Sequence, residues 1–109
     1  MTLPVIIDIE ASGFGKGSYP IEVGYYMPGG NAYCTLIRPE PGWVHWDTSA
    51  EAVHGIAREH LVSHGKSALD VCRVLNRDLV GQRVYCDAWS RDDGGLSVMY
   101  DAVGLVPSF

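Results

Sequence analysis

The sequence contains little cysteine and little positive charge. Its three cysteines, Cys34, Cys72 and Cys86, are an odd number without a C-x-x-C spacing. This usage is typical of reduced, buried thiols in a cytoplasmic protein. Only eight Lys and Arg stand against 13 Asp and Glu, a net charge of -5. A broad basic surface that neutralises many phosphates is therefore excluded, whereas an acidic cluster offset by bound cations is not.

Long hydrophobic runs are also absent. The apolar stretches are strand-sized and the N-terminus has no basic region, so we predict neither a signal peptide nor a membrane span. Of the 109 residues, 47% are hydrophobic and 19% are charged. This composition excludes a disordered chain and predicts a single folded domain over residues 1–109.

The order of hydrophobic patterns along the chain predicts an α/β fold. Apolar and β-branched runs predict a first strand from residue 5 that stops at the Ser12-Gly13 turn, and further strands at 19–27, 32–37 and 83–86. Helical spacing predicts helices at 49–54, at 68–80 and from about 92 to 103, with a short turn at 57–61 and a loop at 63–66. We expect a mixed sheet: an antiparallel meander of three strands, with the fourth strand parallel to the first and beside it.

Capping residues mark the helix starts and glycines mark their ends. Asp47 or Thr48 is predicted to cap the first helix, and Glu51 stands three residues after Thr48 as in a capping box. Ser67 is predicted to start the next helix.

Two aromatic residues in the irregular segment before the first helix, Trp43 and Trp46, are expected to pack against partners.

Two carboxylates interrupt the apolar run of the first strand. Asp8 and Glu10 are two residues apart, so their side chains point to the same face of a strand. Like charges at that spacing disfavour each other's ionised form, and a divalent cation removes the conflict. The pattern predicts a Mg²⁺ or Mn²⁺ site, with the capping of a neighbouring loop as the alternative role of either carboxylate.

The histidines suggest a second metal hypothesis, which the sequence does not favour. His60 and His64 are four residues apart, and His54 precedes them. The loop predicted around His64 and Gly65 argues against a continuous helix there, and no further nitrogen or sulfur ligand is clustered nearby. We therefore do not predict a zinc site at these positions.

Four motifs in order along the chain resemble one family. They are Asp8-Ile9-Glu10-Ala11-Ser12-Gly13, then Pro20-Ile21-Glu22-Val23-Gly24, then His54-Gly55-Ile56, then Val84-Tyr85-Cys86-Asp87-Ala88 followed by Asp92 and Leu96. This pattern resembles the DEDD 3′-to-5′ exonucleases, the DnaQ-like group of the ribonuclease H-like fold. The resemblance runs through nearly the whole chain.

The resemblance implies hydrolysis of phosphodiester bonds at a nucleic-acid 3′ end by a two-metal mechanism. It assigns Asp8 and Glu10 as catalytic metal ligands, with Asp8 bridging the two ions, and Asp92 as the third ligand. Asp93 and Asp87 compete with Asp92, which is preferred because a carboxylate at a helix start is favoured by the helix dipole. Asp87 is otherwise expected to form a turn or helix cap.

The resemblance also implies roles around the ligands. Ser12, Gly13 and His54 are expected to contact the substrate, although His54 could instead stabilise the end of its helix. Trp89, close to the acidic residues, is the expected partner for a base. Glu22 is assigned at most an outer position that hydrogen-bonds the site, with a structural salt bridge as its alternative.

The sequence departs from the family at its third motif, a His or Tyr base followed by a last Asp. No His follows His64, and no acidic residue follows Asp101. The domain is therefore expected to be incomplete, to hold one of its two ions weakly, and to lose about 10²-fold or more in rate for want of the base. A catalytically silent domain that binds metal, nucleic acid or protein is the alternative function. An exposed fourth strand predicts self-association.

Overall fold

The computed structural model describes residues 3–87, 90 and 95–109. Four strands form one sheet in the order β3-β2-β1-β4. Strand β1 pairs with β2 antiparallel and with β4 parallel, and β2 pairs with β3 antiparallel. The mixed sheet and the position of the fourth strand beside the first are thus confirmed. The elements in chain order are β1 (Val5–Ala11), β2 (Pro20–Tyr26), β3 (Ala32–Leu36), α1 (Thr48–His54), α2 (Arg58–His64), α3 (Ala68–Leu79), β4 (Val84–Tyr85) and α4 (Leu96–Val103).

The sheet has a packed face, covered by helices, and an open face, and the residues of β1 alternate between the two. Buried and exposed residues alternate strictly along all seven positions of the strand. The packed face meets α3 and α4 in the main core, where Leu75, Leu79 and Met99 are fully buried. The open face carries Ile6, Asp8 and Glu10, all exposed. Burial of one face fixes the register, because a slip of one residue would carry both carboxylates into the core.

Helix caps follow the sequence with one difference. Asp47 is the N-cap of α1 and accepts a hydrogen bond from the Ser49 backbone N–H. Glu51 instead accepts from Trp46 Nε1 at 2.8 Å, so the capping box from Thr48 does not form. Ser67 caps α3 as predicted, accepting from the Asp70 N–H.

The segment predicted as a turn followed by a loop is helix α2. Its N-cap, Ala57, makes no side-chain capping bond. Long-range contacts hold the helix instead: Leu61 is fully buried, and Arg58 donates to the Trp43 carbonyl at 2.7 Å and to the Tyr19 hydroxyl at 3.1 Å. The prediction was wrong because tertiary packing, which local patterns do not report, stabilises this short helix.

The cysteines differ in their burial. Cys72 is buried, and burial raises the pKa of its thiol to about 12. Cys86 is partly buried, whereas Cys34 is exposed on β3. The expectation of buried thiols is therefore wrong for Cys34, because β3 is an edge strand and this side chain lies on the open face.

Two further predictions concern surfaces. Within the described ranges, no helix is both long and apolar enough to cross a membrane. Strand β4 has β1 as its only neighbour in the described sheet, which leaves its outer edge unpaired. Self-association through that edge stays a prediction.

A tyrosine and a carboxylate join β2 to α3. The Tyr25 hydroxyl donates to Asp78 Oδ2 at 2.7 Å. Hydrogen bonds from Arg77 and Tyr25 lower the pKa of Asp78. Burial, together with the bond to Asp78, raises the pKa of Tyr25. The folded state therefore favours an ionised Asp78 and a neutral Tyr25.

We expect Tyr25→Phe to lower the free energy of unfolding by about 1–2 kcal/mol at pH 7, because it removes a hydrogen bond to a charged group. The Asp78 contribution is present above the unfolded pKa of about 3.9 and is lost as pH falls through the lower folded pKa. The Tyr25 contribution is present below about pH 10 and is lost as pH rises through the higher folded pKa. The free energy of unfolding, measured with urea across pH, should fall less in Tyr25→Phe than in the wild type at both low and high pH. If the two proteins instead gave parallel curves of stability against pH, the Tyr25–Asp78 hydrogen bond would not be the cause of these losses.

Candidate functional site

The open face of the sheet gathers the acidic residues of the first two strands. Glu10 lies directly opposite Glu22, and Asp8 lies opposite Gly24. Gly24 places no side chain beside Asp8. Together with Cys34 these residues line a shallow cavity of about 50 Å³. Desolvation and the Glu22 carboxylate raise the pKa of the Cys34 thiol, which places that thiol against Glu22.

The chemistry of this face fits a hard divalent cation. Carboxylate oxygens are the donors that Mg²⁺ and Mn²⁺ prefer, and Asp8 and Glu10 are exposed side by side on one strand. Across the part of the chain that the structure describes, no three His, Cys, Asp or Glu side chains are grouped closely enough to hold an ion. The predicted third ligand, Asp92, and its competitor Asp93 lie outside the described residues.

Glu10→Gln is expected to stabilise the metal-free protein by about 0.2–1 kcal/mol, because like charges directly opposite each other on paired strands are destabilising. Urea unfolding in EDTA at low ionic strength measures the effect, and added salt should reduce it. Glu59→Gln, an exposed change on α2, serves as the charge-matched control and should bring no gain. A Glu10→Gln protein less stable than the wild type would contradict the electrostatic account.

Asp87 lies two residues beyond the end of β4, whose last residue, Tyr85, pairs with Ile6 of β1. Asp87 Oδ1 accepts a hydrogen bond from the Ser90 backbone N–H at 2.7 Å. This contact is the capping role that the sequence offered as its alternative. Trp89, the predicted partner for a base, lies outside the described residues.

Ser12 shapes the turn that follows β1. Its side chain is fully buried, and its Oγ accepts from the Tyr19 backbone N–H at 3.1 Å. The same oxygen lies 3.3 Å from His45 Nδ1. These contacts hold the Gly-rich turn against the segment before α1. Sequence reasoning missed His45, whose only signal was its place between two tryptophans.

A second cavity brings three predicted residues together. Glu10, Gly13 and His54 line a space of about 70 Å³, together with Phe14 and Val53. Gly13 is packed closely: a Cβ there would lie 2.5 Å from His45 Cε1. The end of β1, the turn after it and the end of α1 therefore share one small site.

The hydrogen bonds of His54 define its tautomer. The Ile56 backbone N–H donates to His54 Nδ1 at 2.9 Å, so the neutral ring carries its proton on Nε2. That nitrogen is buried without a hydrogen-bond partner among the residues that are described. A buried donor without an acceptor is costly, and it belongs to a residue that lines the small cavity.

Two of the tryptophans pack as predicted. Trp43 stacks on Tyr19 with ring centroids 5.3 Å apart. Trp46 meets His54 edge to face at 5.7 Å. Trp46 thus packs directly against His54, a residue that lines the cavity.

Comparison with known proteins identifies the fold. No protein-family model and no curated protein matches the chain, but solved structures do, and the chain has the α/β architecture of the ribonuclease H-like fold. A structure of exonuclease I in complex with the inhibitor BCBP superposes with a TM-score of 0.76 and 14% identity, covering 98% of this chain and 25% of that one.

Two further structures of that enzyme agree. A moderately thermophilic exonuclease I from Methylocaldum szegediense gives a TM-score of 0.68 and 15% identity, covering 84% of this chain and 21% of that one. E. coli exonuclease I in complex with a 5cy-dT13 oligonucleotide gives a TM-score of 0.62 and 11% identity, covering 77% of this chain and 19% of that one. The chain thus spans about a fifth to a quarter of the length of these structures. At such identities the likeness establishes the fold.

Proposed function

We propose that the chain is a nuclease domain that removes nucleotides from the 3′ end of a nucleic acid with the help of Mg²⁺ or Mn²⁺. One observation carries the proposal: Asp8 and Glu10 stand exposed on one face of β1, and Glu10 also lines the cavity of Gly13 and His54. Carboxylates that can hold a cation thereby stand next to a small cavity whose lining is proposed to contact the end of a substrate. The fold shared with exonuclease I supports the same class of reaction.

In this proposal Asp8, Glu10 and Asp92 hold the ions, and Asp87 and Asp93 are the competing candidates for the third position. Two bound cations in such a site supply activation of a water and stabilisation of the leaving 3′ oxygen. Glu22, opposite Glu10, maintains the negative potential that attracts cations to this face. The like-charge repulsion on the face is relieved when a cation binds.

The remaining residues position the substrate. Ser12 and Gly13 keep the turn after β1 close to the segment before α1. His54 supplies its Nε2–H to an acceptor on the terminal nucleotide, since this donor has no partner within the described ranges. Trp89 is proposed to stack on a base.

The test compares two labels on one oligonucleotide. With Mn²⁺, a 3′-labelled strand should release labelled mononucleotide at once, while a 5′-labelled strand should shorten stepwise. EDTA should abolish both. Blocking the 3′ end with a terminal phosphorothioate linkage should slow the reaction. Release of internal fragments, or identical yields with and without EDTA, would contradict a metal-dependent 3′ exonuclease.

Thermal stability in Mn²⁺ separates this function from its alternative. A protein that is stabilised by Mn²⁺ and binds the oligonucleotide, yet releases no nucleotide, would be the silent binding domain. Absence of any Mn²⁺ effect on stability or turnover would contradict the nuclease and the metal-binding form of the silent domain, because both place a cation on Asp8 and Glu10.

A further inference from the structure

Helix α2 carries two histidines one helical turn apart on its surface. The rings of His60 and His64 stack with centroids 4.3 Å apart and an interplanar angle of 20°. Both residues are exposed. The i, i+4 spacing places them on one face because the segment is helical. The pair stands on α2, whereas the acidic residues of the proposed nuclease site stand on β1 and β2.

Ser63 contacts the second ring. Its Oγ lies 2.8 Å from His64 Nδ1, and the same hydroxyl is within hydrogen-bond distance of the Glu59 and His60 carbonyl oxygens, at 3.0 and 3.3 Å. When the hydroxyl donates its one proton to a carbonyl, its oxygen accepts from His64 Nδ1–H, and Nε2 then presents a lone pair.

This arrangement is the one that metal-binding histidines use. A ligating imidazole commonly donates its other N–H to an oxygen, which orients the ring and raises the basicity of the ligating nitrogen. Two nitrogens bound to one ion at 2.0–2.1 Å lie about 3 Å apart when they occupy adjacent positions. The ring centroids of His60 and His64 are 4.3 Å apart, so chelation of one ion requires only that their side-chain torsions change within an i, i+4 pair.

We propose that His60 and His64 form a two-histidine site for a borderline divalent transition metal such as Cu²⁺, Ni²⁺ or Zn²⁺. Imidazole binds these ions in preference to Mg²⁺. The affinity of the site should be higher for Cu²⁺ than for Ni²⁺ or Zn²⁺. Two protein ligands leave the other coordination positions to water. The site is separate from the acidic face in place and in ion preference.

The first test is calorimetric titration of the full chain with Ni²⁺ in the presence of excess Mg²⁺. Wild type should bind one Ni²⁺, and His60→Asn and His64→Asn should each weaken binding at least about tenfold, because each loses one arm of the chelate. Val62→Ala, an exposed change on the same helix, is the matched control and should bind like wild type. Circular dichroism confirms that each variant folds.

The second test addresses the role of Ser63. Ser63→Ala should weaken Ni²⁺ binding by a factor within the 10- to 100-fold range typical of lost outer partners, and Ser63→Thr, which keeps the hydroxyl, should restore it. Ni²⁺ binding that is unchanged in both histidine variants would overturn the proposal. So would Ni²⁺ binding that Asp8→Asn abolishes. Neither outcome bears on Mn²⁺-dependent nucleotide release, so the two proposals fail separately.

Discussion

Asp8→Asn should reduce Mn²⁺-dependent release of 3′ nucleotides by at least about 10²-fold. Loss of an outer partner of a metal ligand already costs about 10- to 100-fold, and Asp8 is proposed to bind the ions directly. Asparagine has the same shape and stays on the open face, so the strand pairing of β1 is kept. The rate of release from a 3′-labelled oligonucleotide, measured over a range of Mn²⁺ concentrations, is the readout.

A second readout separates loss of the cation from loss of the fold. Asp8→Asn should abolish the rise in melting temperature that Mn²⁺ gives the wild type, while its melting temperature in EDTA should be no lower than that of the wild type. Asp101→Asn, an exposed change on α4, is the matched control and should keep both rate and stabilisation. A fully active Asp8→Asn protein would show that β1 does not hold the catalytic ions.

Gly65→Ala should lower the free energy of unfolding by at least about 2 kcal/mol. Gly65 has an ordinary φ of -71°, so the glycine is needed for space rather than for conformation. A Cβ there would lie 2.5 Å from the Leu61 carbonyl oxygen and 2.7 Å from the Ile37 carbonyl carbon. Both are backbone atoms, and Ile37 is held close to this segment by its bridge with Lys66. For a domain of this size the change corresponds to roughly 8–16 °C in melting temperature.

Gly42→Ala is the control for this substitution. A Cβ at Gly42 would meet no heavy atom within 4 Å, so the change should stay within about 0.5 kcal/mol. Thermal and urea unfolding of the two variants under identical conditions give the comparison. Equal stability of Gly65→Ala and Gly42→Ala would mean that α2 can move away from the end of β3 without cost.

Strand β1 shows which part of the architecture was predictable. Its alternation of aliphatic and acidic residues is a local signal, because period two in a strand assigns each residue to a face. The shared face of Asp8 and Glu10 followed from it directly, whereas the exposure of that face did not, since the apolar run indicated a buried inner strand. The placement of β4 beside β1 also followed, because few crossovers are compatible with three antiparallel strands and a helical connection.

Helix α2 and His45 show why the rest was not predictable. The helix depends on Leu61 and on bonds from Arg58 to residues 15 and 39 positions away, and no local pattern reports such distances. His45 reaches Ser12 across 33 residues. The meeting of Glu10, Gly13 and His54 in one cavity was implied by the family resemblance, whereas its boundary is set by packing of the Gly-rich turn.

The one-sided packing of β1 also bears on how this chain can change. Substitutions on the open face alter charge and chemistry without repacking the interior, so that face can diverge while the aliphatic residues beneath it stay constant. Insertion or deletion of a single residue is different, because it exchanges the two faces along the whole strand. A shift of the whole strand by one residue would bury two carboxylates and expose the four residues that are now buried, Val5, Ile7, Ile9 and Ala11. The spacing of this strand should therefore tolerate far less variation than its surface composition.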